Sequence, residues 1–383
     1  MKKILYLHAG AEMYGADKVL LDLLKNLDKT QFTPYVVLPT EGVLVEALKK
    51  NGIPIQVMKY PIMRRKYFNI KGVFNYIFDF FKFSRKLTRF AKENSIDIIH
   101  TNTAAVLEGC YVSKRLHLPQ LWSIHEIIVS PQLMYKFTSK IISRYSAVVV
   151  TDSMAVKKHL EKSGYFTKNQ PQVIYNGVDS DRFKPSNNSE YLYNEWNIPK
   201  NAKIIGMMGR VNSWKGQHDF LKAAELVMRD DPSVYTVMVG SAFVGEEWRE
   251  EQLREKIDNS PYKNRIVFVG YRTDSEAIYK LLDVFVLPST RPDPLPTVVL
   301  EAMATGKPIV GYRHGGVCEM VKDGYNGLLA DVGLPEDLAN KVQSILNDNE
   351  LRTVMGKRSR SRLLENFSLE AYVNNYSKQY LVL

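Results

Sequence analysis

The chain is 383 residues long, 45% of its residues are hydrophobic, and its formal net charge is +11. That length is sufficient for two domains with separate cores, and the composition is that of a globular protein. The two cysteines, Cys110 and Cys318, lack metal-ligand spacing and indicate a reducing compartment. The opening stretch, MKKILYLHAG, contains an apolar run too short for a signal peptide, so we interpret it as a buried strand.

Short apolar runs alternate with helical segments through the first half of the chain. A strand at Ile4–Leu7 leads to a loop, to Gly15 and to a helix through Leu27, an arrangement that can cradle a phosphate. Taken alone, Gly15 also fits an ordinary strand-to-helix turn. A helix is predicted at Gly42–Asn51, and further strands at Tyr35–Leu38, Ile53–Val57, Asp97–His100, Gln120–His125 and Ala147–Thr151. This alternation predicts a parallel sheet that binds ligands at the carboxyl ends of its strands.

The positive charge is concentrated in this first half. Residues 1–182 contain 27 Lys and Arg against 15 Asp and Glu, a net +12, whereas the remainder contains 25 against 26, a net −1. The segment Lys59–Lys92 has ten basic residues, ten aromatic residues and one acidic residue, Asp79. Such a segment is typical of a surface that attaches to an anionic membrane leaflet, with Phe80 and Phe83 among the cations. The alternative is a solvated helix whose core face is formed by Val73, Ile77, Phe81, Ser84, Leu87 and Ala91.

A domain boundary is predicted near residue 180, where VIYNGVD is followed by the polar stretch DRFKPSNNSE. Beyond it the alternation of strands and helices resumes. Helices are predicted at Glu246–Asn259, Thr297–Thr305, Pro335–Glu365 and Ser368–Val382. Strands are predicted at Lys203–Met208, Tyr235–Gly240, Ile266–Val269, Val284–Leu287 and Pro308–Gly311.

Two loops of this second half combine charge with glycine or proline. Arg210 and Lys215 lie on a glycine-bearing loop after a strand, which suits a diphosphate, because Arg can bind two oxygens and Lys adds a point charge. Asp293 lies on a proline-rich loop, and Glu301 lies on the helix that follows it. The first turn of that helix leaves N–H groups unpaired, so the loop and helix together predict an anion site with two carboxylates facing one cleft.

The stretch from Leu287 to Glu319 reads LPSTRPDPLPTVVLEAMATGKPIVGYRHGGVCE. It resembles the signature of family 4 of the glycosyltransferases, retaining enzymes of the GT-B fold. The family has two glutamates separated by seven residues, where this chain has Asp293 and Glu301, and Pro296 replaces a glycine. The resemblance implies an α/β fold with two Rossmann-like domains facing each other across a cleft. Residues 1–180 would bind the acceptor and 181–367 the nucleotide-sugar donor, with a last helix near 368–383 packing back on the first domain.

The resemblance also implies roles for individual residues. Arg210 and Lys215 would neutralise the diphosphate, Asp293 would orient the sugar, and Glu301 would hold the ribose hydroxyls. His125 ends a predicted strand, and in the family a functional histidine follows the corresponding strand. The alternative is that His125 is a structural histidine. The catalytic set implied is His125, Asp293, Arg210 and Lys215. The donor-binding set implied is Gly15, Gly209, Arg210, Lys215, Tyr271, Arg272, Asp293, Leu295, Thr297, Val298 and Glu301.

The predicted activity is a metal-independent, retaining hexosyltransferase that uses a nucleoside-diphosphate sugar as substrate and needs no cofactor. Its acceptor would be a glycan or a polyprenyl-diphosphate-linked sugar, in the synthesis of capsule, exopolysaccharide or cell-wall glycan. We expect a cytoplasmic protein, and the membrane hypothesis adds peripheral attachment to the inner face of the cell membrane. The alternative is a catalytically idle subunit that binds a sugar nucleotide or glycan. Nucleic acid is not expected as a partner, because the charge is one-sided and the acidic motif would repel phosphates.

Overall fold

The computed structural model describes residues 1–64, 67 and 69–383. These residues form two compact units. The first unit comprises Met1–Gly177 together with Leu369–Leu383, and the second comprises Val178–Ser368. Each unit has its own parallel sheet, so the two are described separately.

The first unit contains a parallel sheet of short strands, of which all but the two edge strands are buried for most of their length. The strands are β1 (Lys2–Leu7), β2 (Phe32–Leu38), β3 (Ile55–Val57), β4 (Ile98–Thr101), β5 (Gln120–Ile124), β6 (Val148–Thr151) and β7 (Gln172–Val173). Their order across the sheet is β3-β2-β1-β4-β5-β6-β7. The helices between them are α1 (Gly15–Asn26), α2 (Val43–Lys50), α3 (Ile70–Glu93), α4 (Glu108–Leu116), α5 (Gln132–Tyr145) and α6 (Met154–Glu161).

The second unit repeats this plan with six parallel strands. They are β8 (Lys203–Met208), β9 (Val234–Val239), β10 (Ile266–Val269), β11 (Val284–Leu287), β12 (Ile309–Tyr312) and β13 (Gly327–Ala330). Their order is β10-β9-β8-β11-β12-β13. The helices are α7 (Glu190–Glu195), α8 (Gln217–Asp230), α9 (Trp248–Asp258), α10 (Ser275–Leu281), α11 (Thr297–Ala304), α12 (Val317–Met320), α13 (Pro335–Leu346) and α14 (Asn349–Asn366).

The last two helical predictions differ from the structure in one respect. The stretch Pro335–Glu365 is divided between α13 and α14, because the Asp348 side chain accepts a hydrogen bond from the N–H of Leu351 at 2.8 Å and starts a new helix. The final helix, α15 (Leu369–Val382), belongs to the first unit. It is tied to the sheet there, since the Tyr380 hydroxyl lies 2.8 Å from Nδ1 of His100 and 3.0 Å from the Tyr6 hydroxyl.

Helix α3 buries only part of the face predicted for its core side. Phe83, assigned to the surface from the sequence, is buried with Ser84, Leu87 and Ala91. Phe80 packs against core residues, whereas Val73, Ile77 and Phe81, assigned to the core, are exposed. The reason is length: 24 residues extend about 36 Å, well beyond a sheet with strands of two to seven residues. The amino-terminal half of α3 therefore has no sheet to cover.

Each sheet has one point at which the strand order reverses direction. In the first unit this switch point lies between β1 and β4, and in the second it lies between β8 and β11. Connections leave such a point toward opposite edges of the sheet, which opens a crevice at the carboxyl ends of the two strands. We therefore expect ligands to bind at the loops that follow these four strands.

Candidate active site

The loop after β8 reaches across the switch point of the second unit. Gly216 has a φ of 84°, and a Cβ there would lie 1.9 Å from the carbonyl oxygen of Pro288, at the end of β11. Only glycine fits this conformation and this approach. The N–H of Thr290 donates to the carbonyl of Trp214 at 2.7 Å, which fixes the two loops together. This close packing brings Lys215 beside the proline-rich loop.

Lys215 and Asp293 form an ion pair through Nζ and Oδ2. Their side chains are only 13% and 7% exposed, so the pair is largely shielded from water. The hydroxyl of Ser289 donates to the same carboxylate at 3.3 Å. An ammonium has three donors and a carboxylate has several acceptor positions, so each group can still bind a ligand while paired. The structure thus joins two residues that the sequence placed 78 positions apart.

The loop carrying Asp293 is supported from behind by Gly315 and Gly316. The N–H of Gly316 donates to the carbonyl of Asp293 at 2.8 Å. A Cβ on Gly316 would lie 1.7 Å from the carbonyl oxygen of Pro294, and one on Gly315 would lie 2.6 Å from that of Asp293. These two glycines therefore allow the backbone of the loop to pack directly against them, which fixes the position of the Asp293 side chain.

Glu301 lies on α11 and is held by a tyrosine that the sequence analysis missed. The Tyr279 hydroxyl, on α10, donates to Oε2 of Glu301 at 2.7 Å, and both residues are buried. Burial and the neighbouring carboxylate raise the pKa of Tyr279 well above its usual value, so its hydroxyl stays a donor. This contact was not predicted, because no pattern in the sequence distinguishes Tyr279, on a seven-residue helix, from any other tyrosine.

The amino terminus of α11 supplies backbone donors beside these side chains. Pro296 is the N-cap residue, and Thr297 and Val298 follow in the first turn. The N–H groups of a first turn have no partner within the helix, and the helix dipole favours an anion there. Leu295 precedes the cap and is buried, so its side chain anchors the turn.

Arg210 is oriented by an aromatic ring. Its guanidinium lies 3.4 Å from the ring centroid of Phe243, a cation–π contact that restricts the side chain. The Gln217 side chain donates to the carbonyl of Arg210 at 2.8 Å, so the start of α8 also fixes its backbone. The neighbouring Gly209 has a φ of 150°, in the region that favours glycine.

Tyr271 and Arg272 lie at the end of β10 in different surroundings. The Arg272 guanidinium makes paired contacts with Glu195, at 2.6 and 3.2 Å, and with Asp274, at 2.9 and 2.7 Å. These carboxylates raise the pKa of Arg272 and occupy four of its donor directions. Its side chain therefore stabilises this corner of the unit. Tyr271 is 52% exposed, and its N–H donates to the Ser241 hydroxyl at 3.0 Å.

In the first unit, a chain of hydrogen bonds follows the carboxyl ends of four strands. His8 follows β1, Asn102 follows β4, His125 follows β5 and Asp152 follows β6. Asn102 lies 3.2 Å from Nδ1 of His8 and 3.1 Å from Nε2 of His125, and Nδ1 of His125 lies 3.4 Å from Asp152. At the other end, Nε2 of His8 lies 2.6 Å from Asp17. His125 is thus part of a network that crosses the switch point of this sheet.

This network favours the protonated form of His125. Burial lowers the pKa of His125, but its hydrogen bond with Asp152 and that carboxylate's charge outweigh burial, so the pKa is raised. Both ring nitrogens face oxygen acceptors, which suits an imidazolium with two donors. The sequence analysis placed His125 at the end of a strand, but it missed His8, Asn102 and Asp152, because only the fold brings them together.

Gly15 is the first residue of α1, at the same switch point. The loop before it is folded around Asp17, whose carboxylate accepts from the N–H groups of Glu12 and Tyr14 at 3.1 Å each. Burial raises the pKa of Asp17, but the hydrogen bond and charge of His8, with the backbone hydrogen bonds from Tyr14 and Met13, outweigh burial and lower it. Gly15 therefore presents a first-turn N–H beside an ionised carboxylate.

Two known protein families match separate regions of this chain. Residues 13–182 match the family described as "Glycosyltransferase Family 4", and residues 189–362 match the family described as "Glycosyl transferases group 1". The chain belongs to glycosyltransferase family 4. This confirms the family predicted from the stretch between Leu287 and Glu319, and the two matched regions together extend over most of the chain.

Individual members of glycosyltransferase family 4 are moderately similar. A lipopolysaccharide core biosynthesis glycosyltransferase, LpsE of Rhizobium meliloti, is 33% identical over 178 residues, which cover 46% of this chain and 49% of LpsE. The chain thus matches about half the length of that relative. A UDP-Gal:alpha-D-GlcNAc-diphosphoundecaprenol alpha-1,3-galactosyltransferase of Escherichia coli is 24% identical over 99% of this chain and 96% of its own length.

Solved structures of the same family establish the fold. Anabaena HepE, in complex with UDP and glucose, superposes with a TM-score of 0.87 at 26% identity, over 100% of both chains. HepE has also been solved in complex with UDP-glucose, and the sequence in that structure is 25% identical to this chain. The predicted α/β class, with two Rossmann-like domains of the GT-B fold, is therefore confirmed.

Proposed function

We propose that this family 4 enzyme is a retaining glycosyltransferase that transfers a hexose from a nucleoside-diphosphate sugar to a glycan or lipid-linked acceptor. The setting we propose is the synthesis of capsule, exopolysaccharide or cell-wall glycan. Two relatives support this setting, since one is named for lipopolysaccharide core biosynthesis and the other for an acceptor linked to diphosphoundecaprenol. The observation that carries the proposal is the contact of Lys215 with Asp293 at the switch point of the second unit.

The diphosphate would lie between the loop after β8 and the start of α11. Arg210 and Lys215 supply positive charge there, and the first turns of α8 and α11 supply N–H donors. A leaving group neutralised by two cations needs no metal ion, so we propose metal-independent transfer. We expect activity to persist in excess EDTA, and a loss of activity that Mg²⁺ restores would contradict this part of the proposal.

The sugar and the ribose would be held by the two acids. Asp293 would orient sugar hydroxyls with one carboxylate oxygen while the other pairs with Lys215, and Glu301 would accept from ribose hydroxyls. Tyr279 would keep the Glu301 carboxylate in place. We further propose that the backbone at Tyr271 and Arg272 borders the base, because the Arg272 side chain is occupied by Glu195 and Asp274.

Transfer would proceed by displacement on one face of the sugar. The bond from the anomeric carbon to the diphosphate oxygen breaks, and the diphosphate leaves with the electron pair. The acceptor hydroxyl oxygen forms the new bond to the anomeric carbon, and its proton passes to the departing phosphate oxygen. We propose this route because the second unit shows no second carboxylate, among its described residues, with an evident role as a nucleophile on the opposite face.

The acceptor side would be the switch point of the first unit. A protonated His125 can donate to a hydroxyl or to a phosphate oxygen, and the bonds with Asn102 and Asp152 fix the orientation of its ring. Gly15 would leave the start of α1 open to a phosphate, the donor-binding role that the family resemblance implies. The roles of His125 and Gly15 are proposals, as are the roles of the residues in the second unit.

A panel of nucleotide sugars tests the proposed function. Because HepE was solved with UDP-glucose, UDP-hexoses are the first donors to try, with GDP- and ADP-hexoses beside them. We expect one donor class to raise the melting temperature of the wild type but not of Glu301→Ala. We also expect slow hydrolysis of that donor without acceptor. Binding without any hydrolysis would instead indicate an idle binding subunit, and no stabilisation by any donor would overturn the proposal.

A further inference from the structure

The outer face of the first unit has an open groove that the chemistry above does not use. Helix α4 forms its floor, and α3 and α5 form its walls. The groove encloses about 850 Å³ and is lined mainly by apolar and aromatic side chains, among them Tyr76, Phe80, Phe81, Tyr111, Phe137 and Ile141. A groove of this size and lining is suited to a hydrocarbon chain rather than to a sugar nucleotide.

The walls of this groove continue into an exposed apolar stripe on α3. The side chains recur at the spacing of one helical face and are 43–81% exposed: Ile70, Val73, Phe74, Ile77, Phe78 and Phe81. On α5, Leu133 and Phe137 are 79% and 46% exposed. Apolar side chains exposed together at this density mark a surface that contacts a protein or a membrane. The stripe lies on the part of α3 that extends beyond the sheet.

The charge of this face favours a membrane over a protein partner. Between their ends, α3 carries six basic residues, α4 carries two and α5 carries three. Acidic residues on the same helices are Asp79, Glu93 and Glu108, and Glu108 is fully buried. Among the exposed basic side chains, Lys82 lies over the Phe78 ring of the stripe at 5.9 Å and Lys114 lines the groove. The same helices carry little opposing charge. Apolar side chains bordered by Lys and Arg are the pattern of helices that lie on anionic lipid surfaces.

We propose that the face formed by α3, α4 and α5 binds an anionic phospholipid bilayer and that the groove holds an acyl chain of one of its lipids. The exposed aromatic side chains of α3 and α5 enter the boundary between head groups and acyl chains, and the lysines and arginines contact the head groups. No helix among the described residues is both long and apolar enough to cross a bilayer. This surface and the donor site have no residue in common, so the proposal does not depend on the proposed function.

Vesicle flotation tests the surface. We expect the chain to float with vesicles of phosphatidylglycerol and phosphatidylcholine and to bind pure phosphatidylcholine at least about tenfold more weakly, since each basic residue near the surface contributes about 1 kcal/mol, or fivefold. Phe74→Ser combined with Phe78→Ser should lower binding at least about tenfold. Both side chains are more than two-thirds exposed, so the fold should be retained, as an unchanged melting temperature would verify.

Matched controls lie in the second unit. Val332→Ser combined with Leu334→Ser removes two exposed apolar side chains there, 44% and 49% exposed, and should leave binding unchanged. Lys82→Glu with Arg85→Glu should weaken binding to anionic vesicles, whereas Lys222→Glu with Lys357→Glu should not, although all four side chains are exposed. Equal loss of binding in the two charge-reversed variants would mean that binding follows net charge alone, and the proposed surface would be wrong.

Fluorescence quenching tests the groove itself. Phe81→Trp places a reporter in the groove wall, and phosphatidylglycerol brominated along its acyl chain should quench its added fluorescence relative to the parent chain. Lipid brominated only at its head group should quench it less. Binding of the labelled chain to vesicles without acyl-chain quenching would overturn the groove proposal. Equal binding to neutral and anionic vesicles would overturn the proposed preference for anionic lipid.

Discussion

Asp293 is one methylene shorter than the glutamate that family 4 has at this position, and it contacts Lys215 directly. Both side chains are largely buried, so removing either partner leaves the other charged and unpaired, which costs about 3–5 kcal/mol. We expect Lys215→Met and Asp293→Asn each to lower the free energy of unfolding by an amount of this order. The double variant should lose at least about 1 kcal/mol less than the sum of the two. Additive losses in chemical denaturation would show that the pair is not coupled.

In the proposed site, the hydroxyl of Tyr279 holds the Glu301 carboxylate and does not contact the donor. Tyr279→Phe keeps the ring and its contact with Phe183, whose centroid lies 5.9 Å away. We expect it to weaken donor binding about tenfold through loss of one buried hydrogen bond to a charged group, while turnover at saturating donor changes little. Calorimetry with the donor measures the first effect. Tyr262→Phe, on the surface of the same unit, is the control, and an equal loss there would contradict the role of Tyr279.

His125 makes a pH-dependent contribution to stability. Its folded pKa is raised, so the folded state holds the proton more tightly than the unfolded state does. The stabilisation is fully present below the ordinary pKa of about 6.5 and is lost as the pH rises through the folded value. We therefore expect His125→Gln to cost more stability at pH 6 than at pH 9.

Denaturant unfolding at the two pH values measures this difference. His218→Gln is the matched control, because burial lowers the pKa of His218 and its pH dependence should have the opposite sign. A cost of His125→Gln that is equal at both pH values would show that Asp152 does not stabilise the imidazolium.

At the scale of single elements, Gly316 positions the loop that carries Asp293. In Gly316→Ala the added methyl would overlap the carbonyl oxygen of Pro294, so the loop must move. We expect a loss of donor binding together with a destabilisation of about 1–3 kcal/mol. Cys318→Ala, two residues further along and exposed, is the control and should bind donor normally. Normal donor affinity in Gly316→Ala would mean that the position of this loop does not matter for binding.

Helix α3 shows where sequence patterns stop being informative at this scale. Its apolar residues are numerous enough to trace more than one face, so periodicity alone selects no single buried side. The choice is made by what lies beneath: the sheet covers only the carboxyl-terminal part, where Leu87 and Ala91 are buried. Nearer the amino terminus, Phe80 turns toward α4, where its ring centroid lies 6.3 Å from that of Tyr111.

Across the whole molecule, the strands and the loops that follow them were predictable except for β7 and β13, because apolar runs and turn residues are local signals. Arg210, Lys215 and Asp293 therefore lie on loops that follow strands, and Glu301 lies within the helix after the last of these loops, as predicted. The residues that complete each site were not predictable. Tyr279 comes from α10, before β11, and the two side-chain partners of His125, Asn102 and Asp152, follow two other strands. These contacts depend on strand order, which no local pattern encodes.

The central claim is that a nucleoside diphosphate binds at the switch point of the second sheet. A crystal structure of the chain with the donor selected in the thermal-shift panel tests it most directly. We predict phosphate oxygens within hydrogen-bond distance of Arg210, Lys215 and the first-turn N–H groups of α11, and ribose hydroxyls on Glu301. A diphosphate bound elsewhere, or bound at this point without contact to Lys215 and Glu301, would contradict the account.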